Sequence, residues 1–501
     1  MQQHAATAAT DLDVIVLAAG GGTRMRSKTA KVLHPVGGRS MVGHVLVAVR
    51  ELRPRRVVAV VGHEREQVSA HIRELEPACV LAVQERQDGT GHAVRVAVEE
   101  LDRVGDGTGR TVVVAYGDTP LLTGESLAAF VAEHDAAERA VSILSGIVPD
   151  PTGYGRIVRT ADGDVAAIVE HKDASPEQRA VREINSGILA FDAAFLRSAL
   201  PRLGNDNAKG EYYLTDTVRL AREDGLTVGA WVIDDVMQTE GANDRAQLAS
   251  LGRELNRRIL SRWMREGVSV MDPETTWVDA DVTLAPDVTL LPGVQLLGAT
   301  DVAEDAVIGP DTTLKDCVVQ AGARVVRTHG ELAVIGERAT VGPFSYLRPG
   351  TTLGTGGKIG AFVETKNAEI RDGAKVPHLS YVGDAEIGEG TNIGAGSIFA
   401  NYDGVAKHRS RVGRFARTAS NTTFVSPVEV GDGAATGAGT VVRRDVPPGA
   451  LAVSGGSQRN IEGWAERRRP GTPQAEAARA ARRGTGAGSG PPGGGNRSAG
   501  E

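Results

Sequence analysis

Glycines and cations follow the first apolar run of this chain. Gly20, Gly21 and Gly22 stand together, and Arg24 and Lys31 come shortly after them. The backbone N–H groups of such a loop can converge on phosphate oxygens, and two cations beside it can neutralise a triphosphate. The segment lacks both the Gly-Lys-Ser/Thr ending of a P-loop and the Gly-x-Gly-x-x-Gly spacing of a dinucleotide fold. It therefore predicts a phosphate site of another kind.

Polar residues of a second group interrupt a regular repeat in the C-terminal half. They include Arg348, Lys366, His378, Tyr381 and Lys407. Polar residues that break a repeat usually serve a ligand. We therefore expect the repeat to carry a binding site and not to act only as a spacer.

The repeat itself is a strict spacing of six between aliphatic residues, with small residues four places further on. An ordinary β-sandwich would instead alternate with a period of two. Aliphatic side chains that stack inward, with small residues at tight corners, are typical of a parallel β-helix. The aliphatic series begins with Val278, Leu284, Leu290, Leu296, Val302, Ile308 and Leu314.

The N-terminal half predicts an α/β domain. A buried strand from residue 13 leads into the glycines, and further β-branched runs alternate with helical stretches. Residues 12–245 are predicted to form a doubly wound, mainly parallel sheet that binds ligands beyond the carboxyl ends of its strands. Apolar residues at helical spacing between Leu248 and Trp263 predict a linker helix over 246–267, with the β-helix following over 268–462.

Composition sets further expectations. A net charge of -7 gives no global basic field for nucleic acid. Cys79 and Cys317 suit small buried side chains and offer no disulfide framework. The apolar run 14–19 is too short for a signal segment or a membrane span, so we expect a cytoplasmic protein without membrane contact. The start, 1–11, and the Arg/Gly/Pro-rich end, 463–501, are expected to be disordered.

The glycine segment resembles the signature of the sugar-1-phosphate nucleotidyltransferases, Leu-x-x-Gly-x-Gly-Thr-Arg-Met followed by a lysine. Here Ala30 replaces the proline that usually precedes the lysine. The resemblance continues in order through residues 84, 89–93, 116–121, 153–156, 170–172, 185–187, 210–216 and 240–243.

That resemblance implies a site for Mg²⁺, UTP and a sugar phosphate. Asp118 and Asn243 would hold the Mg²⁺, with oxygen ligands of the kind this ion prefers. Arg24 and Lys31 would neutralise charge while the sugar phosphate attacks the α-phosphorus in line and pyrophosphate leaves. The implied contacts to UTP and the sugar nucleotide are Leu17, Ala18, Ala19, Gly20, Lys31, Gln84, Gly89, Thr90, Tyr116, Gly117, Asp118, Gly155, Glu170, Asn185, Tyr212 and Asn243.

From residue 12 to Trp464 the chain is similar to a bifunctional family that joins an N-acetylglucosamine-1-phosphate uridylyltransferase to a glucosamine-1-phosphate N-acetyltransferase. The resemblance implies a Rossmann-like domain, a linker helix and a left-handed β-helix of hexapeptide repeats. It makes His378 the general base of acetyl transfer and Glu364 the group that orients it. Arg348, Lys366, Tyr381, Asn392 and Lys407 would bind glucosamine phosphate, and Ala395, Asn401, Tyr402, Ser420 and Ala438 would bind acetyl-CoA, although Ala419 departs from the family's usual Gly-Ser-Asp.

The implied function is synthesis of UDP-N-acetylglucosamine for the bacterial cell wall. Acetyl-CoA would acetylate glucosamine 1-phosphate, and UTP would then react with N-acetylglucosamine 1-phosphate. The chain would assemble as a homotrimer. Two alternatives are a single-activity pyrophosphorylase with a structural β-helix, and a non-catalytic assembly subunit that keeps both folds.

Overall fold

A computed structural model describes residues 11–105, 108–456, 458 and 460–485 of the chain. The predicted disordered start therefore lies outside the described residues except for Asp11. No helix in the described ranges is long and apolar enough to cross a membrane.

The N-terminal strands are short and rich in valine. They are β1 (Leu12–Leu17), β2 (Pro35–Val36), β3 (Arg39–Ser40), β4 (Arg56–Val61), β5 (Val80–Val83), β6 (Thr111–Tyr116), β7 (Val141–Ile147), β8 (Gly155–Arg159), β9 (Val165–Val169), β10 (Glu183–Asp192) and β11 (Val228–Val232). The helices between them are α1 (Met41–Glu51), α2 (Arg65–Leu75), α3 (Thr90–Arg103), α4 (Gly124–Ala136), α5 (Pro176–Arg179), α6 (Ala193–Ala199) and α7 (Asp216–Glu223). Short 3-10 helices cover Thr23–Met25, Lys31–Leu33, Leu200–Arg202 and Val236–Thr239.

These strands form the predicted mainly parallel sheet, in the order β11-β7-β10-β6-β1-β4-β5 with β8 and β9 at the side. β1 pairs in parallel with both β4 and β6, so the chain order reverses at β1. Open α/β sheets bind ligands in the crevice at such a switch point, beyond the carboxyl ends of the strands. The glycine loop follows β1 at this edge.

Both faces of the sheet are covered, because successive residues of a strand point to opposite sides. Ile15 packs in one apolar cluster with residues of α3, α6 and α7. Val14 and Val16 pack in the other with residues of α1, α2 and α4. The helix α8 (Arg245–Arg265) then leads to the repeat, and its Ile259 and Leu260 join the core of the repeat.

The repeat is a left-handed parallel β-helix. In the first coils each strand pairs with the one three strands later, as in Trp277 with Gln295 and Thr283 with Asp301, so three hexads make one coil. Every aliphatic residue of the first series, from Val278 to Leu314, is buried, which confirms the predicted inward stack. Extra residues after Asn401 loop out before the coil resumes, since Tyr381 pairs with Ile398 but Ala385 with Ser410.

The β-helix strands are mostly two or three residues long. They are β12 (Ser269–Val270), β13 (Trp277–Val278), β14 (Thr283–Leu284), β15 (Thr289–Leu290), β16 (Gln295–Leu297), β17 (Asp301–Val302), β18 (Val307–Ile308), β19 (Thr313–Lys315), β20 (Val318–Val319), β21 (Arg324–Val325), β22 (Thr328–Glu331), β23 (Val334–Ile335), β24 (Thr340–Val341), β25 (Ser345–Leu347), β26 (Thr352–Leu353), β27 (Lys358–Ala361), β28 (Glu364–Ile370), β29 (Lys375–His378), β30 (Tyr381–Ile387), β31 (Ile398–Ala400), β32 (Ser410–Val412), β33 (Thr423–Val425), β34 (Glu429–Val430), β35 (Ala435–Thr436), β36 (Val441–Val442) and β37 (Leu451–Ala452).

The predicted disorder of the C-terminal tail is wrong for much of its length. Two helices, α9 (Trp464–Arg468) and α10 (Pro473–Thr485), stand there and pack on one another. Alanine and arginine are strong helix formers, and this propensity outweighs the shortage of apolar residues on which the prediction rested. Ala475 is fully buried, and the Arg469 guanidinium lies over the Trp464 ring, 4.9 Å from its centre. Residues 486–501 lie outside the described part of the chain.

Candidate active sites

The glycine loop packs directly on the segment that carries Lys31. Gly22 has a φ of 53°, in the left-handed region that glycine adopts without strain. A Cβ atom at this position would lie 2.5 Å from the Cβ of Lys31, closer than two carbon atoms can approach. Glycine is therefore required there for the loop and Lys31 to lie side by side.

The side chain of Lys31 contacts both residues that are predicted to hold Mg²⁺. Its Nζ lies 2.5 Å from Oδ2 of Asp118 and donates a hydrogen bond of 2.9 Å to Oδ1 of Asn243. Asp118 follows β6, whereas Asn243 comes just before α8, so tertiary structure brings them together. Two hard oxygen ligands that converge on one cation match the preference of Mg²⁺, which commonly takes its remaining ligands from water and phosphate. No cluster of three His, Cys, Asp or Glu residues that could hold a metal occurs among the described residues.

A cavity of about 390 Å³ opens beside this group. Gln84 is buried at its wall, and its Nε2 donates to the carbonyl of Gly89 over 3.0 Å. Burial raises the pKa of Tyr116, with the charge of Asp118 adding to the effect, so its phenol stays neutral. The predicted residues that line this cavity are Leu17, Ala19, Gly20, Lys31, Gln84, Gly89, Thr90, Tyr116, Asp118 and Asn243.

The remaining predicted nucleotide and sugar residues lie around the same edge. Gly117 donates its N–H to the carbonyl of Leu17, and its Cα faces the buried Ala18. The backbone of Tyr212 contacts residues 88–91, donating its N–H to the carbonyl of Asp88 and accepting from the N–H of Gly91. A cavity of about 370 Å³ next to the first is lined by Arg24 together with Asp118 and Asn243.

Three of the predicted sugar residues lie close together at the side of the sheet. Asn185 of β10 pairs with Gly155 of β8, and a Cβ at Gly155 would stand 3.4 Å from Oε1 of Glu170. Glu170 lines a further cavity of about 440 Å³. Burial raises the pKa of this carboxyl, and the positive charge of Lys209 opposes the shift only in part.

Two groups at this site were not predicted. Gln87 lines the first cavity, and its Nε2 donates to the carbonyl of Ala19 over 2.6 Å. Tyr154 donates from Oη to Oε2 of Glu240 over 2.8 Å, linking the sugar side to the segment of Asn243. Tyr154 and Glu240 both lie in segments that resemble the nucleotidyltransferase family, but only the fold shows that they are in contact.

On the β-helix, the structure gives Glu364 a partner different from the predicted one. Its Oε1 accepts from Nη1 of Arg348 over 2.9 Å, and the described residues show no hydrogen bond between Glu364 and His378. The reason is register: Glu364 pairs with Tyr381 on one face, whereas His378 pairs with Ala361 on the adjacent face. The side chain of His378 is exposed.

The two predicted lysines lie close together. The pKa of Lys366 is lowered, first by its contact with Lys407, then by desolvation and by the charge of Arg348, while Asp384 opposes the shift. Three cations at one place indicate a site for an anion such as a phosphate. Lys407 belongs to the loop that leaves the coil after Asn401, where it forms a bridge with Tyr402.

The side chains of Tyr381 and Asn401 both pack against Gly383. A Cβ at Gly383 would lie 2.4 Å from Oη of Tyr381 and 2.7 Å from Nδ2 of Asn401. Asn392 is half-buried one coil further along, where its N–H donates to the carbonyl of Ala416.

The other residues predicted for acetyl-CoA form a row along one corner of the prism. Asn421 donates its N–H to the carbonyl of Ala395, and Gly439 donates to the carbonyl of Ser420. Ser420, Ala438 and Tyr402 are exposed. The structure thus aligns Ala395, Ser420 and Ala438 on successive coils, with Asn401 and Tyr402 on the loop nearby.

The fold and the two sites define the class of protein: a nucleotidyltransferase with a doubly wound sheet, joined to an acyltransferase of the β-helix type. The family model for the MobA-like NTP transferase domain matches residues 14–182. The bifunctional protein GlmU of Pseudarthrobacter chlorophenolicus is 59% identical over 468 residues, 93% of this chain and 95% of that protein. Those of Rhodococcus opacus and Streptomyces avermitilis are 60% and 58% identical, with coverage of 93% and 94% of this chain and 94% and 97% of theirs.

The chain belongs to the GlmU family of bifunctional proteins. It is an enzyme with nucleotidyltransferase and acetyltransferase activity in UDP-N-acetylglucosamine synthesis. One of its reactions is an acetyl transfer and the other is a uridylyl transfer.

Proposed function

We propose that the two reactions divide between residues 12–245 and 268–462, with acetyl-CoA and UTP as the group donors. The observation that carries the first assignment is the convergence of Lys31, Asp118 and Asn243 at the edge of the sheet. The cluster of Arg348, Lys366 and Lys407, on the same β-helix as the exposed His378, carries the second. A β-helix that served only as a scaffold would have no need of this charge arrangement.

At the sheet, Asp118 and Asn243 would hold Mg²⁺, which neutralises phosphate charge when it is bound. Lys31 and the exposed Arg24 would steady the triphosphate from the glycine loop. An oxygen of the sugar phosphate attacks the α-phosphorus, and the bond from that phosphorus to pyrophosphate breaks. Such chemistry needs positioning and charge neutralisation more than a general base.

Different residues of the cavities would bind different parts of the substrates. Gln84, Gly89 and Thr90 suit the uracil end, because amide and backbone groups line a wall there. Gly155, Glu170, Asn185 and Tyr212 suit the sugar. Glu170 would accept hydrogen bonds from sugar hydroxyl groups in its ionised form.

On the β-helix, His378 would take a proton from the 2-amine of glucosamine 1-phosphate as the nitrogen attacks the thioester carbonyl. The C–S bond then breaks, the acetyl group stays on nitrogen, and coenzyme A leaves as the thiol after gaining a proton. Arg348, Lys366 and Lys407 would bind the phosphate, with Tyr381 and Asn392 beside the sugar. Glu364 would contribute to this site indirectly, by holding the side chain of Arg348 in position.

Acetyl-CoA would lie along the corner row of Ala395, Ser420 and Ala438, with Asn401 and Tyr402 beside the thioester. Because His378, Tyr402 and Ala438 are exposed on a single chain, we propose that a homotrimer encloses the site between neighbouring prisms. The enzyme would work in the cytoplasm, where UTP and acetyl-CoA are available.

Two assays on the purified protein test the proposal. One follows thiol release from acetyl-CoA with glucosamine 1-phosphate, and the other follows pyrophosphate release from UTP, Mg²⁺ and N-acetylglucosamine 1-phosphate. We expect His378→Ala to lose only the first activity and Lys31→Ala to lose only the second. Unchanged acetyl transfer in His378→Ala would refute that base, and pyrophosphate without thiol release in the unaltered protein would favour a structural β-helix.

A further inference from the structure

Asp384 is a buried carboxylate between the groups assigned to the acetyl-transfer site. Only 8% of the residue is exposed. Its Oδ1 accepts from Nδ2 of Asn367 over 2.8 Å, and its Oδ2 accepts from Nδ2 of Asn401 over 2.5 Å. Burial of an ionised group is costly unless such partners replace water, so this network needs both amides.

Asp384 also stands at the base of the loop that carries Lys407. The loop leaves the coil at Asn401, whose carbonyl accepts from the N–H of His408 on the returning part of the loop. Tyr402 bridges to Lys407 across the loop. Holding the Asn401 amide in place therefore fixes the end of the loop and, through it, the position of Lys407.

Electrostatic interactions also connect Asp384 to the lysines of the site. The charged groups that act on Lys366 come from three elements: Lys407 from the loop, Arg348 beside β25, and Asp384 from β30. Two of these are cations and Asp384 is the carboxylate. It offsets the repulsion between cations that must lie within reach of one phosphate.

We propose that Asp384 is a positioning residue of acetyl transfer, which holds Asn401 and the two lysines in the arrangement that binds glucosamine 1-phosphate. The inference rests on the proposed function of the β-helix, because it concerns the same site. Asp384 itself does not touch the reacting atoms. It acts through the groups that do.

The test uses the full-length enzyme with two substitutions of Asp384. Asp384→Asn keeps the shape but places an NH₂ group against another NH₂ donor and removes the charge. Asp384→Gly removes the side chain and suits the left-handed backbone, whose φ is 47°. The matched control is Asp316→Asn, because Asp316 also stands at a coil corner with a φ of 51° and accepts a backbone N–H from the neighbouring coil.

We expect both Asp384 variants to raise the KM for glucosamine 1-phosphate about tenfold, the loss typical of a hydrogen bond to a charged group. Uridylyl transfer should be unchanged, which shows that the protein is folded. Loss of the carboxylate removes the group that raises the Lys366 pKa, so the alkaline fall of kcat/KM should move to lower pH. A merely structural role would not move this limb.

The inference would be overturned if the Asp384 variants kept the wild-type KM and the wild-type alkaline limb. It would also be overturned if Asp316→Asn showed the higher KM and the shifted limb that are expected of the Asp384 variants. Failure of the proposed function looks different, because the unaltered enzyme would then release no thiol from acetyl-CoA. If Asp384→Asn does not fold, Asp384→Gly decides the matter on the same two measurements.

Discussion

Replacement of Gly22 by alanine should disable uridylyl transfer through geometry alone. Two effects add. Alanine at a φ of 53° carries a backbone cost of about 1–2 kcal/mol. In addition, the new methyl group would lie 2.5 Å from the Cβ of Lys31, whereas ordinary contact between carbon atoms begins near ~3.5 Å. Lys31 or the loop must therefore shift by roughly 1 Å.

Such a shift takes Lys31 away from Asp118 and Asn243, which its Nζ now reaches at 2.5 and 2.9 Å. A misplacement of about 1 Å at a reacting centre can lower the rate on the order of 100-fold. We expect kcat for pyrophosphate release to fall by about that factor. Acetyl transfer, measured as thiol release on the same sample, should stay at the wild-type rate because the residues proposed for it lie on the β-helix.

The control is Gly225→Ala. Gly225 also has a positive φ, of 73°, but a Cβ there would meet no heavy atom within 4 Å. It therefore shares the backbone strain of Gly22 without the clash. Pyrophosphate release in Gly22→Ala within about threefold of the Gly225→Ala rate would refute the reasoning, because a change of ~0.6 kcal/mol is too small for a displaced lysine.

Three further outcomes follow from the geometry. Removal of Mg²⁺ by a chelator should stop pyrophosphate release and leave thiol release intact. Asp118→Asn should raise the Mg²⁺ concentration needed for the half-maximal rate of pyrophosphate release. An unchanged Mg²⁺ requirement in this variant would exclude Asp118 as a ligand. Because burial raises the pKa of Glu170, falling pH should protonate this group earlier than an ordinary glutamate and raise the KM for the sugar phosphate, an acid limb that Glu170→Gln should abolish. Leu296→Ala should lower the free energy of unfolding by about 3 kcal/mol, since this side chain is fully buried, while the half-buried Leu297→Ala should cost clearly less in the same thermal or denaturant unfolding experiment.

The architecture could be predicted because its signals are periodic. A spacing of six leaves few structures that bury all the aliphatic residues, and Val278 to Leu314 are buried as that spacing requires. The strand, glycine loop and helix at the start likewise predicted the sheet. The tail was predicted incorrectly, because helices α9 and α10 depend on alanine and arginine propensity and on local contacts, whereas the prediction weighed only the lack of apolar residues.

At the sites, residue types could be named in advance but their partners could not. Glu364 was predicted to orient His378, yet its carboxylate binds Arg348, because Glu364 and His378 lie on strands that belong to different faces of the prism. Asp384 received no role from the sequence, and only its hydrogen bonds with Asn367 and Asn401 support the role proposed for it.

The sequence by itself determined the order of the elements, the repeat, and the supply of glycines, cations and amides at defined positions. These follow from local rules, since periodicity and backbone freedom act over a few residues. Only the tertiary structure decided that Asp118 and Asn243 share Lys31, and that Lys366 meets Lys407 across a loop. Contacts between residues far apart in the chain depend on the register and crossing of whole elements, which no local pattern encodes.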